Sequence, residues 1–259
     1  MGCAVNTSST LVAEMVASQG YDFVMVDAQH SAIDAENLRS IMQAVKAGGS
    51  RSIVRVGGHM DRTGMQQALD LGAAGVLIPC GREVADIQYA VSCCKYPTRG
   101  PGSAAGTRSI YVNLRSQFPG GFGNLFSSVL RDANEETLVA CQIETREALE
   151  NVEAIAAIDG LDMLFIGPGD LAADLGLMRE HGAPACWQTE AFAAAQRRVA
   201  RACLDAGKVA GYWNSDVAKL GALGFRFFVV DGDITAMQAA LSKSLREKRE
   251  IVAGLRRGD

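Results

Sequence analysis

The sequence lacks the features that mark several classes of protein. It contains no run of about 18 apolar residues free of charge, which a membrane-spanning helix needs. Its first residues have no basic stretch followed by an apolar run, so a signal peptide is not predicted. Positive charge is not in excess, because 25 Lys and Arg against 29 Asp and Glu give a formal net charge of −4. We therefore expect a cytoplasmic protein that binds neither membranes nor nucleic acid.

Proline is scarce, and the cysteines show no disulfide pattern. Only 6 Pro stand against 28 Gly, which favours many tight turns over a proline-rich linker. The 7 cysteines are odd in number and contain no CxxC pair. Cys80, Cys141 and Cys203 lie in apolar runs, so we expect buried free thiols rather than disulfide bonds.

The chain is instead an alternation of short β-rich runs and longer helical stretches. Several of the β-rich runs are continuously apolar, as strands buried in a parallel sheet are. Eight strand–helix units in 259 residues match the size of an α/β protein with a (β/α)₈ TIM barrel, forming one domain over 1–259. An open, doubly wound sheet is the alternative, since counting strands does not exclude it. The predicted strands are 2–5, 22–27, 51–56, 75–79, 137–144, 162–167, 208–213 and 226–231.

One stretch interrupts this alternation. Residues 96–130 are rich in Gly, Ser, Arg and aromatic residues, and they are too many for an ordinary connection. We interpret them as an active-site loop with room for a short helix. Helices are predicted at 83–95, 146–158, 188–206 and 234–249. The charged stretch at 243–257 is interpreted as a solvated helix face, with an oligomer contact as the second interpretation.

Polar side chains that follow the predicted strands should meet at one mouth of the barrel. Gln142 and Glu144 are two residues apart on a strand, so both point to the same side. Asp170 follows the next strand, and neighbouring parallel strands lie about 5 Å apart. Two carboxylates with open positions suit Mg²⁺ or Mn²⁺. The alternative is that these carboxylates cap a helix or pair with an arginine.

A histidine and an arginine are predicted at the same mouth. His30 follows a strand three residues after Asp27 and could be a base that this carboxylate orients, or a loop histidine. Arg55 lies in an apolar run and needs a partner, either an anionic substrate or a side chain such as Asp27 or Gln29. No lysine is predicted at the mouth, which disfavours a Schiff-base aldolase.

These residues lie in segments that resemble the HpcH/HpaI aldolases, class II metal-dependent pyruvate aldolases of the phosphoenolpyruvate/pyruvate superfamily. The segments fall in family order and span most of the chain, and 142–145 with 167–171 are the most specific pair. The matching segments are 20–23, 27–30, 54–56, 69–73, 142–148 and 166–171.

The resemblance implies a role for each matching position at the metal and the substrate. Glu144 and Asp170 would hold a divalent cation, Mg²⁺ or Mn²⁺, with Co²⁺ as a further candidate. Gln142 and the Gly169 backbone would contact the pyruvate part of a small 2-oxo acid. The family is typically hexameric, so a homo-oligomer (a hexamer or a trimer) is expected, with the C-terminal helix at about 234–252 exchanged between subunits.

The resemblance also implies the acid–base and electrostatic roles, and it has two departures. His30 would be the base, Asp70 would raise its basicity, and Arg55 would stabilise the enolate. Gln29 stands where the family usually has Glu, which removes a charge beside the base. A second segment of the family is shortened here to 96–100.

We therefore expect an aldolase that cleaves or forms the C3–C4 bond of a 4-hydroxy-2-oxo acid. Decarboxylation of oxaloacetate, or a reaction like that of macrophomate synthase, is the second hypothesis and would use the same enolate. A non-catalytic barrel that serves as a binding or scaffold protein is the third.

Overall fold

The computed structural model describes residues 1–97, 106–110, 127–213 and 216–255. Eight parallel strands close into a barrel in chain order, and β8 pairs back with β1. This confirms the predicted TIM barrel, because an open doubly wound sheet would leave two unpaired edges. The strands are β1 Gly2–Val5, β2 Phe23–Asp27, β3 Ser52–Arg55, β4 Gly75–Ile78, β5 Leu138–Ile143, β6 Met163–Ile166, β7 Val209–Trp213 and β8 Phe227–Gly232.

Helices follow the strands and surround the barrel. The predicted helix at 146–158 is divided at Asn151 into two short helices, and the predicted helix at 234–249 continues to Leu255. A 3₁₀ turn spans Ala185–Gln188. The helices in the described residues are α1 Thr10–Ala17, α2 Ala35–Ala47, α3 Arg62–Asp70, α4 Val84–Cys94, α5 Ser127–Glu136, α6 Arg146–Glu150, α7 Val152–Ala156, α8 Pro168–Asp174, α9 Leu177–His181, α10 Glu190–Asp205, α11 Val217–Ala222 and α12 Asp233–Leu255.

Local sequence signals explain where these helices begin. The Asp34 side chain accepts a hydrogen bond from the Asn37 N–H at 2.8 Å, and Asp61 accepts one from the Gly64 N–H at 2.8 Å. Each carboxylate satisfies a backbone donor that has no partner inside the helix. None of the helices in the described part of the chain combines the length and apolar character needed to span a bilayer.

The hydrophobic core has two layers, because successive strand residues point to opposite faces of the sheet. The larger layer lies between the sheet and the helices. The smaller layer fills the barrel interior with residues such as Met25, Ile53, Ala140 and Phe165. Side chains two positions further along these strands also point inward. The inward-pointing residues that follow the smaller layer therefore face the C-terminal mouth of the barrel.

The predicted active-site loop at 96–130 lies largely outside the described residues. Helix α4 ends at Cys94 and β5 begins at Leu138, so both described ends of this stretch lie at the N-terminal end of the barrel. Residues 106–110 pack at the same end, where Arg108 lies over the Tyr96 ring. Residues 96–97 and 106–110 therefore lie away from the mouth. The rest of the predicted active-site loop lies mostly outside the described residues, so its role stays a prediction.

Candidate active site

A pair of carboxylates stands at the mouth where β5 and β6 end. Glu144 is buried directly after β5, and its Oε1 accepts a hydrogen bond from the Cys80 N–H at 2.6 Å. Asp170 is exposed in the first turn of α8, four residues after β6 ends. Burial raises the pKa of Glu144, and the negative charge of Asp170 raises it further, while the Cys80 hydrogen bond opposes this shift. The two carboxylates therefore lie close enough to repel each other.

The donor atoms around this pair fit a divalent cation. Gln142 is buried, and its Oε1 has no hydrogen-bond partner among the described residues. A Cβ added at Gly167 would lie 2.8 Å from both Gln142 Nε2 and Glu144 Oε2, so the two side chains converge there. Carboxylate and amide oxygens are the ligands that Mg²⁺ and Mn²⁺ prefer. Within the described ranges no cluster of three or more His, Cys, Asp or Glu forms a closed metal site. Two carboxylates would leave coordination positions open for water and substrate.

Arg55 lies beside this pair in the barrel interior, held by Asp27 on the neighbouring strand. Arg55 Nε and Nη2 donate to the two Asp27 carboxylate oxygens at 2.9 and 2.6 Å, and its guanidinium lies 4.8 Å from the Trp213 ring centre. The Arg55 charge is close enough to lower the pKa of Glu144. Burial alone would raise the pKa of Asp27, but the hydrogen bonds and charge of Arg55 outweigh burial and lower it.

The sequence left two interpretations of Asp27, as the carboxylate that orients His30 or as the partner of Arg55, and the structure shows the pair with Arg55. Both Asp27 oxygens bind Arg55, and Asp27 reaches His30 only through the backbone N–H at 3.3 Å. The exposed His30 imidazole forms no hydrogen bond to any described residue. His30 does lie at the mouth, three residues beyond the end of β2.

Asp70 does not approach His30 within one chain. It is the last residue of α3, and helices in this fold run antiparallel to the strands, so Asp70 lies at the N-terminal end of the barrel. There its carboxylate pairs with Arg108 at 2.8 Å in a buried ion pair. Within the described single chain, Asp70 therefore does not act on His30, and it forms a buried ion pair with Arg108 instead.

Gly169 lies in the first turn of α8 beside Asp170, and its contact with the substrate stays a prediction. A Cβ added there would meet no atom within 4 Å, so the backbone faces open space at the mouth. Trp187 borders the same turn, because its Nε1–H donates to the Pro168 carbonyl at 3.1 Å.

Cys80 was predicted to be buried, and it is the one exposed thiol among the seven free cysteines. The apolar run before it is strand β4, which ends at Ile78, so Cys80 already belongs to the mouth. Its backbone has a φ of 64°, which is uncommon for a residue with a side chain. Gln29 Nε2 donates to the Cys80 sulfur at 3.4 Å, and the buried Gln29 Oε1 has no hydrogen-bond partner in the part of the chain that the structure describes. Cys80 stands two residues after the end of β4, and this spacing could have indicated that it lies at the mouth.

Comparison with known proteins identifies similar sequences and structures. A family model described as HpcH/HpaI aldolase/citrate lyase matches residues 1–223. The chain belongs to the HpcH/HpaI aldolase/citrate lyase family. Like its aldolase relatives, this HpcH/HpaI family member is a carbon–carbon lyase.

Three relatives of this HpcH/HpaI family member illustrate the range of named activities. A hydroxypyruvate/pyruvate aldolase of Roseobacter denitrificans is 32% identical over 95% of this chain and 91% of its own length. A 4-hydroxy-2-oxovalerate aldolase of Novosphingobium aromaticivorans is 33% identical over 93% of this chain and 87% of its own. The crystal structure of a macrophomate synthase superimposes with a TM-score of 0.83 at 28% identity, covering 96% of this chain and 84% of that one.

Proposed function

We propose that this chain is a metal-dependent aldolase that cleaves or forms the C3–C4 bond of a 4-hydroxy-2-oxo acid, giving pyruvate and an aldehyde. The observation that carries the proposal is the Glu144 and Asp170 pair, with the unpartnered Gln142 oxygen beside it. The named activities of the two aldolase relatives support the class of substrate.

Glu144 and Asp170 would hold the cation, with Mg²⁺ or Mn²⁺ favoured by their oxygen donors and Co²⁺ a further candidate. When bound, the cation supplies Lewis-acid polarisation of the substrate's 2-oxo group. Gln142 and the Gly169 backbone would contact the pyruvate part of the substrate. Gln142 suits this role because it is buried and retains unused hydrogen-bonding capacity.

In the cleavage direction, His30 accepts the proton of the C4 hydroxyl, directly or through one water. The electron pair of the O–H bond becomes the second bond of the aldehyde C=O group, the C3–C4 pair becomes the C2–C3 double bond, and the π pair of the 2-oxo group moves onto its oxygen. Arg55 stabilises the resulting enolate oxygen, an effect worth roughly 3–4 kcal/mol for a well-placed donor. A proton delivered to C3 then gives pyruvate.

The test is pyruvate release from 4-hydroxy-2-oxovalerate, coupled to lactate dehydrogenase. We expect turnover with added Mg²⁺ or Mn²⁺, no turnover after EDTA treatment, and no turnover in Glu144→Gln, which keeps the size and the Cys80 hydrogen bond. Inactivation by borohydride in the presence of pyruvate would indicate a Schiff base and contradict the proposal. A protein that binds neither Mn²⁺ nor pyruvate would instead be the non-catalytic barrel.

Decarboxylation of oxaloacetate is the second candidate, favoured by the surroundings of His30. This reaction needs no acceptor for a C4 hydroxyl proton, and the His30 imidazole lacks a carboxylate partner in the described part of the chain. The neutral Gln29, in place of the Glu usual in the family, would then matter less. Comparing pyruvate release from oxaloacetate and from the 4-hydroxy acid, at equal enzyme concentration, distinguishes the two reactions.

We also propose that the protein is a homo-oligomer, a trimer or hexamer, in which α12 is exchanged between neighbouring subunits. Helix α12 carries exposed apolar side chains along one face, including Leu241 at 71% and Leu245 at 53% exposure. An apolar face on a long helix is normally covered by another surface, and a second copy of this chain would supply one.

A further inference from the structure

Asn6 and Trp213, to which the sequence analysis assigned no role, contact the Arg55–Asp27 pair. Asn6 follows β1, and its Nδ2 donates to Asp27 Oδ2 at 2.6 Å. Trp213 ends β7, and its ring lies over the Arg55 guanidinium. Together these contacts connect four strands of the barrel at its mouth.

We propose that Asn6 and Trp213 are positioning residues that fix the direction of the Arg55 guanidinium for an anionic 2-oxo acid. The inference rests on the proposed function, because a fixed cation at this place serves an anionic ligand. Neither residue needs to touch the substrate. Each acts through Arg55.

Asn6 completes the set of donors around the Asp27 carboxylate. Oδ1 accepts from Arg55 Nε and from the Gln29 and His30 N–H groups, whereas Oδ2 accepts from Arg55 Nη2 and Asn6 Nδ2. Besides Arg55 itself, Asn6 is therefore the residue that holds Asp27 Oδ2. A carboxylate held at both oxygens fixes the plane of the guanidinium that it binds in two places.

Asn6 is itself held by the start of α12. Its backbone N–H donates to Asp233 Oδ1 at 3.0 Å, and Asp233 is buried. The loop after β1 is thereby tied to two carboxylates, one structural and one at the mouth. Asn6 therefore has little freedom to follow Asp27 if Asp27 turns.

Trp213 restrains Arg55 from the other side of the mouth. Strands β3 and β7 lie opposite each other in an eight-stranded barrel closed in chain order. The Trp213 ring must therefore extend over the barrel axis to reach Arg55, and it also packs on the interior apolar layer. An indole face attracts a guanidinium and excludes water from it.

These contacts leave one edge of Arg55 unused. Nε and Nη2 bind Asp27, and Nη1 forms no hydrogen bond within the described residues. The side chain is only 8% exposed, so this edge meets a confined space rather than open solvent. A long side chain that is already ordered loses little further freedom when a ligand binds.

The experiment uses Trp213 as its own reporter in full-length protein. The chain has 2 tryptophans, so Trp187→Phe leaves Trp213 as the only one. In this background we compare Asn6→Ala with Ser8→Ala, an exposed residue of the same loop. In the metal-free protein, Asn6→Ala should shift the Trp213 emission because Arg55 no longer stays over the ring. Ser8→Ala should leave the emission unchanged.

The second measurement is oxalate affinity with Mn²⁺ present, by calorimetry. Asn6→Ala and Trp213→Leu should weaken oxalate binding by roughly ten- to a hundredfold, while Mn²⁺ affinity stays at the parental value. Trp213→Phe keeps an aromatic face and should restore most of the oxalate affinity that Trp213→Leu loses. If Asn6→Ala does not fold, Asn6→Ser replaces it in both measurements.

Equal emission and equal oxalate affinity in Asn6→Ala and Ser8→Ala would overturn the inference. A parallel loss of Mn²⁺ and oxalate binding would also overturn it, because general damage to the mouth would explain both. If the wild-type protein neither binds Mn²⁺ nor releases pyruvate, the proposed function fails. The emission comparison then still decides whether Asn6 holds Arg55.

Discussion

At the scale of single residues, two glycines near the start of α8 have opposite surroundings. A Cβ at Gly167 would lie 2.8 Å from Gln142 Nε2 and Glu144 Oε2, whereas a Cβ at Gly169 would meet nothing within 4 Å. Gly167→Ala should therefore displace both side chains and weaken Mn²⁺ binding by about 10- to 100-fold, as loss of a supporting contact does. Gly169→Ala is the matched control, and calorimetry should give it the wild-type affinity. Equal affinities in the two variants would contradict this arrangement.

The Asp27–Arg55 pair should make stability depend on pH. The folded-state pKa of Asp27 is lowered by Arg55, so its ionised form stabilises the fold above the unfolded pKa of about 3.9. That contribution is lost as pH falls through the lower, folded pKa. Asp27→Asn leaves a buried cation without its anion and should reduce the free energy of unfolding by about 3–5 kcal/mol at pH 7.

Urea unfolding at several pH values measures this effect. The difference in the free energy of unfolding between wild type and Asp27→Asn should become smaller as pH falls below about 3.9. Asp205→Asn serves as the control, since Asp205 belongs to an exposed ion pair with Arg201 and should change stability little. If the wild-type and Asp27→Asn free energies of unfolding differed by the same amount from pH 7 down to pH 2, the ionised Asp27 carboxylate would not be the source of the added stability.

At the scale of elements, the junction between β8 and α12 depends on one buried carboxylate. Asp233 accepts hydrogen bonds from the Asn6 N–H, the Thr7 N–H and the Thr7 hydroxyl at 3.0, 3.0 and 2.8 Å. Asp233→Ala would leave these donors without their acceptor, so we expect a loss of about 2–3 kcal/mol in the free energy of unfolding. Asp231→Ala, which removes an exposed carboxylate bonded to Tyr21, should cost much less. Equal losses in the two variants would show that the junction does not depend on Asp233.

The elements were largely predictable because the strands are buried on both faces. Runs such as Met163–Ile166 are continuously apolar, and polar residues such as Asp34 begin the helices. Strands and helix caps depend on such local signals, which can be recognised in the sequence. The site was predictable where strand ends determine it, as for Glu144 and Asp170.

The remaining site features depend on contacts between distant residues, which local patterns do not specify. The sequence left Asp27 with two possible partners, His30 and Arg55, and only the folded barrel shows that it pairs with Arg55 on the next strand. The effect of Asp70 on His30 was implied by the family resemblance, and it stays a prediction because α3 carries Asp70 to the other end of the barrel within one chain. Cys80 was predicted to be buried because it follows an apolar run, but strand β4 within that run ends at Ile78.

At the scale of the whole molecule, the exposed face of α12 should control assembly. Leu241 is 71% exposed on a helix of which Asp233 is the only buried residue within the described chain. Leu241→Lys should shift the molar mass measured by light scattering toward that of the 27.4 kDa monomer. Ala239→Lys adds the same charge on the opposite face and should leave the mass unchanged. An oligomer that withstands Leu241→Lys, or a monomeric wild type, would remove α12 from the interface.

The pair of carboxylates is the central claim, and Mn²⁺ titration calorimetry tests it most directly. Wild-type protein should bind one Mn²⁺ per chain, and pyruvate should then bind only to the metal-loaded form. Glu144→Gln and Asp170→Asn keep the size of each side chain and should each abolish measurable Mn²⁺ binding without lowering the melting temperature. Undiminished Mn²⁺ binding in either variant would contradict the account.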